Sequence, residues 1–374
     1  MGTMLAFIRD GLGAMFHGGR SYWLWLGTLA ILIAAGAAAY GLQLRDGLIV
    51  TGMSDQVSWG FYIANFAFLV GIAAAAVLLV IPAYIFNRKD IKSVVLIGEG
   101  LAVAAVISAM LFVVVDLGRP DRMLHMMPII GSLNFPQSML AWDVFVLSGY
   151  LALNLAIPFY VHFCHYRGRE PNFSAYFPFV VLAIFWAISI HTVTAFLFSA
   201  NTARPFWNIA LLGPRFIATA FVSGPALIII VLQLIRRYTH YPVPSSIIDT
   251  LALIMTFALQ ISLFFIGVEL FTDFYNESTH AASVRYLYFG LDGMNSLVPW
   301  IWTALAMNLV AVVILTIHPL RRQRRLLNIA CVLAFFGIWI EKGMGFVIPG
   351  FIPTPLGEVF EYTPTAVELV LSVG

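Results

Sequence analysis

The stretch VSWGFYIANFAFLVGIAAAAVLLVIPAYIFN, residues 57–87, decides which solvent this chain folds in, because it carries no charged side chain at all. A bilayer core about 30 Å thick is crossed by roughly 20 apolar helical residues, and this run is longer than that. Working outward, comparable runs occur at 21–43, 92–116, 137–165, 173–198, 207–237, 245–274, 298–318 and 325–344. The chain therefore reads as an all-α polytopic membrane protein with nine complete spans. Hydrophobic residues make up 61% of the 374 and charged residues only 10%, a balance that excludes a water-soluble globule. A last apolar run, Ala366 to Gly374, follows a Pro-rich stretch. About ten helical residues reach only about 15 Å, so this run does not cross by itself. It is read as the start of a tenth span, with an interfacial helix as the alternative.

Charge orients the spans. Taken by alternate loops, Lys and Arg fall into two unequal sets. One side holds Arg9, Arg20, Arg88, Lys89, Lys92, Arg167, Arg169, Arg236, Arg237, Arg321, Arg322, Arg324 and Arg325. The other holds Arg45, Arg119, Arg122, Arg204 and Arg285. The positive-inside rule puts the larger set, and with it the N-terminus, in the cytoplasm, so the expected location is the cytoplasmic (inner) membrane. A missed helix would have mixed the two sets. Residues 1–20 lack the apolar core and cleavage site of a signal peptide. Within them Leu5, Ile8, Leu12 and Phe16 recur at helical spacing, which predicts a short interfacial helix.

Absences narrow the chemistry. There is no CxxCH for covalent haem and no cysteine cluster for iron–sulfur binding, since Cys164 and Cys331 are the only cysteines. A haem b between helices needs two histidines at matching depth, and only His191 sits well inside a span; His162 and His165 lie at another level. No nucleotide-binding glycine motif appears. The longest loop, about Asp273 to Val298, is too small for a domain. No haem, iron–sulfur cluster or metal is expected in this chain, so any electrons it handles go to another subunit.

Ionisable groups at membrane depth cost at least about 2.5–3.5 kcal/mol each on insertion scales, so each is a functional candidate. Asp116 closes the third span at the outer face. Asp143 lies about 9 Å down the fourth span, and His191 about 12 Å below the outer end of the fifth. Arg215, Glu269, Asp273 and Glu341 fall in the outer parts of later spans, and Tyr62 and Asn65 of the second span in the same layer. Glu99 is the exception, about 10 Å in from the cytoplasmic end and about 25 Å along its helix from Asp116. It is a candidate for a proton path, with Ser108, Ser148 and Tyr150 as intermediates; the bland reading is an acid bonded to a neighbouring helix. Arg215 with Glu269 reads equally as helix-to-helix glue or as part of such a path, Glu341 beside Lys342 as an interfacial anchor, and His191 alone as a packed histidine. Tyr22, Trp23, Trp25, Trp300 and Trp302 read as interfacial belts.

A quinol headgroup needs a hydrogen-bond acceptor at each hydroxyl, a base to take a proton, and an apolar route for its tail. Asp116, Asp143 and His191 meet the first two needs. A secondary transporter or ion channel would tolerate the same charges. It would, however, place its site near the midplane at breaks in matching helices, and Gly224-Pro225 has no such counterpart in the sequence.

Several segments resemble the NrfD/PsrC family of polysulfide-reductase-type membrane subunits. They are DLGRP (116–120), GMSDQVSWGFYIANFAFLVGIA (52–73), SIHTVTAFLF (189–198), ELFTDFY (269–275) and WIEKGMGFVIPGFIPTPLGEVFEYTPT (339–365). Within the family they are most similar to the ten-span branch, that of the P subunit of the Dsr membrane complex, with the C subunit of the Hmc complex next. The resemblance implies two four-helix bundles with flanking helices. On this sequence that gives 1–20 as an interfacial helix and 21–56 as a first span with its outer loop. The bundles fall at 57–198, holding the quinone site, and 199–344, followed by an outer Pro-rich segment and tenth-helix start at 345–374. It implies a cofactor-free subunit reacting with menaquinol or menaquinone, active only in a complex for sulfur or sulfite respiration, with possible coupling to proton translocation. Asp116 and Arg119 would belong to the quinone pocket, with His191 the proton-accepting neighbour. The implied companions are an extracytoplasmic ferredoxin-like iron–sulfur subunit, a triheme cytochrome c, a haem b membrane subunit and a cytoplasmic iron–sulfur subunit.

Overall fold

A computed structural model describes residues 2–86, 88–127, 129–275 and 281–374. Asn87, at the end of the second predicted span, and residues 276–280, within the longest predicted loop, lie outside the described residues. Among the described residues nine helices are long and apolar enough to cross a membrane, and there is no strand beyond an isolated bridge between Leu291 and Met294. This is a multi-pass, all-helical membrane protein.

In chain order the helices are α1 (Gly2–Met15), α2 (Arg20–Asp46), α3 (Phe61–Ile85), α4 (Lys89–Asp116), α5 (Met139–Tyr166), α6 (Phe173–Ser199), α7 (Leu212–Tyr238), α8 (Ser245–Tyr275), α9 (Ala281–Phe289), α10 (Val298–Thr316), α11 (Arg324–Phe351) and α12 (Ala366–Val373). Spans alternate in direction, so one end of the molecule carries Asp116, Ser199 and Leu212, and the other carries Lys92, Tyr166 and Tyr238. Helix starts follow local chemistry. Ser138 accepts from the Ala141 N–H ahead of α5, and Asn172 from the Ser174 N–H ahead of α6, each satisfying an orphan donor of a first turn.

Burial separates core from rim. In its most apolar window α3 is 82% buried and α2 only 11%. α3 packs against α4 and α7, α5 against α6, α7 against α8, and α10 against α11. α2 stays outside and touches the rest through Gly36, Ala39 and Gln43. Gly36 lets α12 come close, since a Cβ there would lie 2.9 Å from the backbone of Gly374. α1 meets the end of α5 through Phe7, whose ring sits 5.2–5.6 Å from Phe159, Phe163 and Tyr166. Its Leu5, Leu12 and Phe16 remain exposed, as an interfacial helix requires.

Two spans depart from the sequence expectation. α3 is not regular throughout: Ala74–Ala76 form a 3₁₀ turn and Ile81–Ile85 a wide π turn around Pro82, whose missing N–H breaks the α ladder. α11 does not stop near residue 344. The α-helix ends at Lys342, Gly343 breaks it, and Met344–Phe351 continue the span. Glu341 and Lys342 are therefore interior and each 3% exposed, which overturns their reading as an interfacial anchor. Sequence hydropathy placed them at an edge because a break in the helix looks like its end. At the Asp116 end, Trp59, Phe198, Trp207, Phe346 and Phe351 form one aromatic cluster. The Trp207 indole donates to the Phe346 carbonyl at 3.0 Å, tying α6, the α6–α7 loop and α11 together.

Candidate functional site

The DLGRP segment ends α4, and Asp116 is its last residue. Around it the structure assembles residues from four elements. The Tyr62 hydroxyl of α3 donates to Gln43 Oε1 of α2 at 2.7 Å, and Gln43 Nε2 donates to the Val115 carbonyl at 2.6 Å. All three sit within the protein, and the Tyr62 ring lies 6.5 Å from that of Phe112. Asp116 Oδ1 is buried with no hydrogen-bond partner among the described residues. From beyond α11, Glu368 of α12 is fully buried and its charge reaches both Tyr62 and Asp116. Sequence reasoning found Tyr62 and Asp116 but missed Gln43, Tyr362 and Glu368. The signal was weak: Gln43 is the lone amide of the first span, and Glu368 the lone charge of the run 366–374.

A second group lies at the same end. Asp143 of α5 accepts from the Thr194 hydroxyl of α6 at 2.7 Å. His191, one turn before Thr194, is 1% exposed. Its Nδ1 donates to the Ala187 carbonyl at 3.3 Å, and its Nε2 is buried without a partner among the described residues. That bond leaves Nε2 as the ring's acceptor. No hydrogen bond or ion pair among the described residues joins this group to Asp116. Asp116 and His191 thus share a layer of the membrane and the same deficiency: each holds a buried acceptor with no donor.

Two expected members go elsewhere. Asn65 accepts from the Trp339 indole at 2.9 Å, on the α11 side of α3. Arg119 is exposed and forms a two-pronged pair with Asp121 at 2.9 and 2.8 Å. The Arg119 guanidinium beside Asp121 holds that carboxyl below the usual carboxylate range, but it does not enter the pocket. The backbone turns outward after Leu117, and the short helix from Pro120 to Met126 carries the side chain to the surface.

The second half is built differently. Arg215 of α7 donates to Glu269 of α8, and to Glu341 of α11 at 3.1 Å. Asn308 of α10 donates to the other Glu341 oxygen at 3.3 Å, so four helices meet at one cation. Asp273 is buried one turn beyond Glu269. Lys342 Nζ lies 4.3 Å from the centre of the Phe216 ring and 3.5 Å from the Phe216 carbonyl. Gly71 faces it from α3, where a Cβ would come within 3.1 Å of Nζ.

Glu99 is 3% exposed with Oε2 unpartnered among the described residues. It borders a cleft of about 10 Å³ shared with Tyr150 and Asn154. Tyr150 donates to the Ala73 carbonyl at 3.1 Å. Ser148 is exposed on the other side of α5 and cannot serve a path from Glu99. Separately, an apolar cavity of about 290 Å³ opens beside the first turn of α3, walled by Phe61, Ala64, Trp300, Trp339, Tyr362 and Leu369. Its walls include neither Asp116 nor His191. No group of three or more His, Cys, Asp or Glu suited to a metal ion occurs among the described residues.

Comparison with known families gives the context for this geometry. The family model for polysulphide reductase NrfD matches residues 49–348. The chain belongs to the NrfD family. Among its relatives is the C-type membrane protein of a putative dimethyl sulfoxide reductase of Halobacterium salinarum, 28% identical over 94% of this chain and 87% of that protein. The Hdr-like menaquinol oxidoreductase integral membrane subunit of Archaeoglobus fulgidus is 27% identical over 92% and 87%. The C subunit of the selenate reductase of Mesobacillus selenatarsenatis is 22% identical over 94% and 90%. The NrfD match spans both the Asp116 and Arg215 sites and stops before Tyr362 and Glu368.

Proposed function

We propose that this NrfD chain is the quinone-reactive membrane subunit of a multisubunit menaquinol/menaquinone oxidoreductase. One observation carries the reading: Asp116 Oδ1 and His191 Nε2 are buried acceptors without donors among the described residues, at one end of the bundle. A quinol brings two hydroxyl donors, which these atoms would satisfy, and oxidation to the quinone gives up two protons and two electrons. Asp116 and His191, with Asp143 ordered behind them by Thr194, take the protons. The electrons leave to an iron–sulfur partner, because no redox group is expected in this chain. The A. fulgidus relative is named for menaquinol oxidation, which supports the substrate class.

With the basic loops in the cytoplasm, the Asp116 end faces outward in the inner membrane. Exposed apolar side chains on the loop after Asp116, at Leu124, Met127, Ile129 and Ile130, suit a docked extracytoplasmic partner. In this reading 57–198 and 199–344 act as two bundles, the first holding the quinone site. The resemblance to the Dsr branch supports a place in sulfur or sulfite respiration beside cytochrome c, haem b and cytoplasmic iron–sulfur subunits.

Asp116→Asn keeps the size and removes the base. In the purified complex it lowers menaquinol turnover by about 10²-fold or more, the scale of a lost general base, while the complex still assembles. Turnover at the parental rate would sink the assignment.

A further inference from the structure

The segment after the family match returns to the site and closes it. Tyr362 is 1% exposed; its hydroxyl accepts from the Phe61 N–H at 2.8 Å and donates to Glu368 Oε1. Glu368 Oε2 accepts from the Gly52 N–H at 2.7 Å and the Thr365 N–H at 2.8 Å, and lies 3.2 Å from the Thr365 hydroxyl. Thr365 Oγ1 in turn donates to the Val50 carbonyl at 2.9 Å. One carboxyl group thus joins α12, the loop between α2 and α3, and the first turn of α3. Phe61, whose N–H is held, immediately precedes Tyr62.

A clip between loops needs hydrogen bonds, and neutral groups make them without the cost of burying a charge. Glu368 is buried, and no Lys or Arg among the described residues pairs with it. Its backbone donors stabilise the charged form, and that charge reaches Tyr62 and Asp116. We infer that Glu368, held by Tyr362, is a positioning residue of the quinol site. It fixes the Tyr62 hydroxyl and, through it, the Gln43 amide against the end of α4, and it sets a permanent negative charge beside the proton-accepting Asp116. This inference rests on the quinol reading of Asp116.

The test uses the purified, intact complex, with menaquinol turnover normalised to assembled complex. Glu368→Gln removes the charge and keeps the length. It lowers kcat by about 10-fold while KM for menaquinol stays within about 2-fold, the signature of an interaction needed in the transition state and not in binding. Glu368→Asp restores the charge and recovers at least about half of the lost kcat on a logarithmic scale. Tyr362→Phe, which keeps the ring, lowers kcat by about 3-fold and covers the case in which Glu368→Gln does not assemble. A parental kcat in assembled Glu368→Gln overturns the inference; if that variant does not assemble, a parental kcat in Tyr362→Phe does so. Failure of Glu368→Asp to exceed Glu368→Gln also overturns it, since the residue is then only a clip. Asp116→Asn separates the two readings. If it is slow while Glu368→Gln is parental, only the positioning role falls; if it runs at the parental rate, the quinol site itself falls.

Discussion

The two halves of the molecule bury ionisable groups at the same end and treat them in opposite ways. Around α7, α8, α10 and α11, Arg215 sits between Glu269 and Glu341, and Asn308 takes the remaining carboxylate oxygen. Around α3 to α6, Asp116, His191 and Glu99 each keep a buried polar atom without a partner among the described residues. A low-dielectric interior strengthens every polar contact and penalises every missing one. The paired half has spent its charges on holding four helices together. The unpaired half keeps acceptors open, which is worthwhile only where a ligand or a proton supplies the missing donor.

The sharpest way to break this comparison is Arg215→Met. It leaves Glu269 and Glu341 facing one another in the interior, and removing one partner of a buried ion pair costs about 3–5 kcal/mol. The yield of assembled complex and its thermal unfolding should collapse, and Arg215→Met/Glu269→Gln/Glu341→Gln should recover much of both. If Arg215→Met assembles normally but stops turnover, the second half is chemistry and the contrast is wrong.

Asp116→Asn comes next, about 10² in turnover with assembly preserved, the opposite pattern. Glu99→Gln sharpens the contrast within the unpaired half. In reconstituted vesicles it should abolish proton exchange with the cytoplasmic side while menaquinol oxidation in detergent stays within about 2-fold. Unchanged proton movement would make Glu99 a structural acid.

The smallest effect belongs to Arg119→Ala, within about 2-fold in turnover, because its guanidinium is exposed and bonded to Asp121. The Asp121 carboxyl is held below its usual range, so its folded value is depressed. Whatever the pair contributes is present above the ordinary carboxylate range and disappears as pH falls through the Asp121 value. Arg119→Ala should therefore match the parent in acid and differ only slightly at neutral pH. A large loss of turnover would return Arg119 to the pocket.

Much of this was legible without coordinates. The uncharged run 57–87 and its companions marked nine spans whose ends agree with the helices within a few residues at most boundaries, because desolvation of peptide and side chain acts on each segment locally. Family membership was legible from DLGRP and SIHTVTAFLF, short motifs at span ends. Break positions were harder. Gly343 and the Ala74–Ile85 region depend on what packs beside them, and the gap in α11 hid Glu341 and Lys342 from a hydropathy reading.

What the sequence alone determined was the solvent, the number of crossings, and the layer in which Asp116, Asp143, His191, Arg215, Glu269 and Glu341 would gather. Residue spacing along a helix sets depth at about 1.5 Å per residue, and that requires no knowledge of neighbours. Only the tertiary structure decided which way each side chain turns and whom it meets. It sent Asn65 to Trp339 and Arg119 to Asp121, gave Arg215 two carboxylates, and left Asp116 and His191 open. It also brought Glu368 back to Gly52 across more than three hundred residues of chain. Depth is a property of one helix, whereas partnership is a property of two, and no local pattern in either segment records which pair will touch.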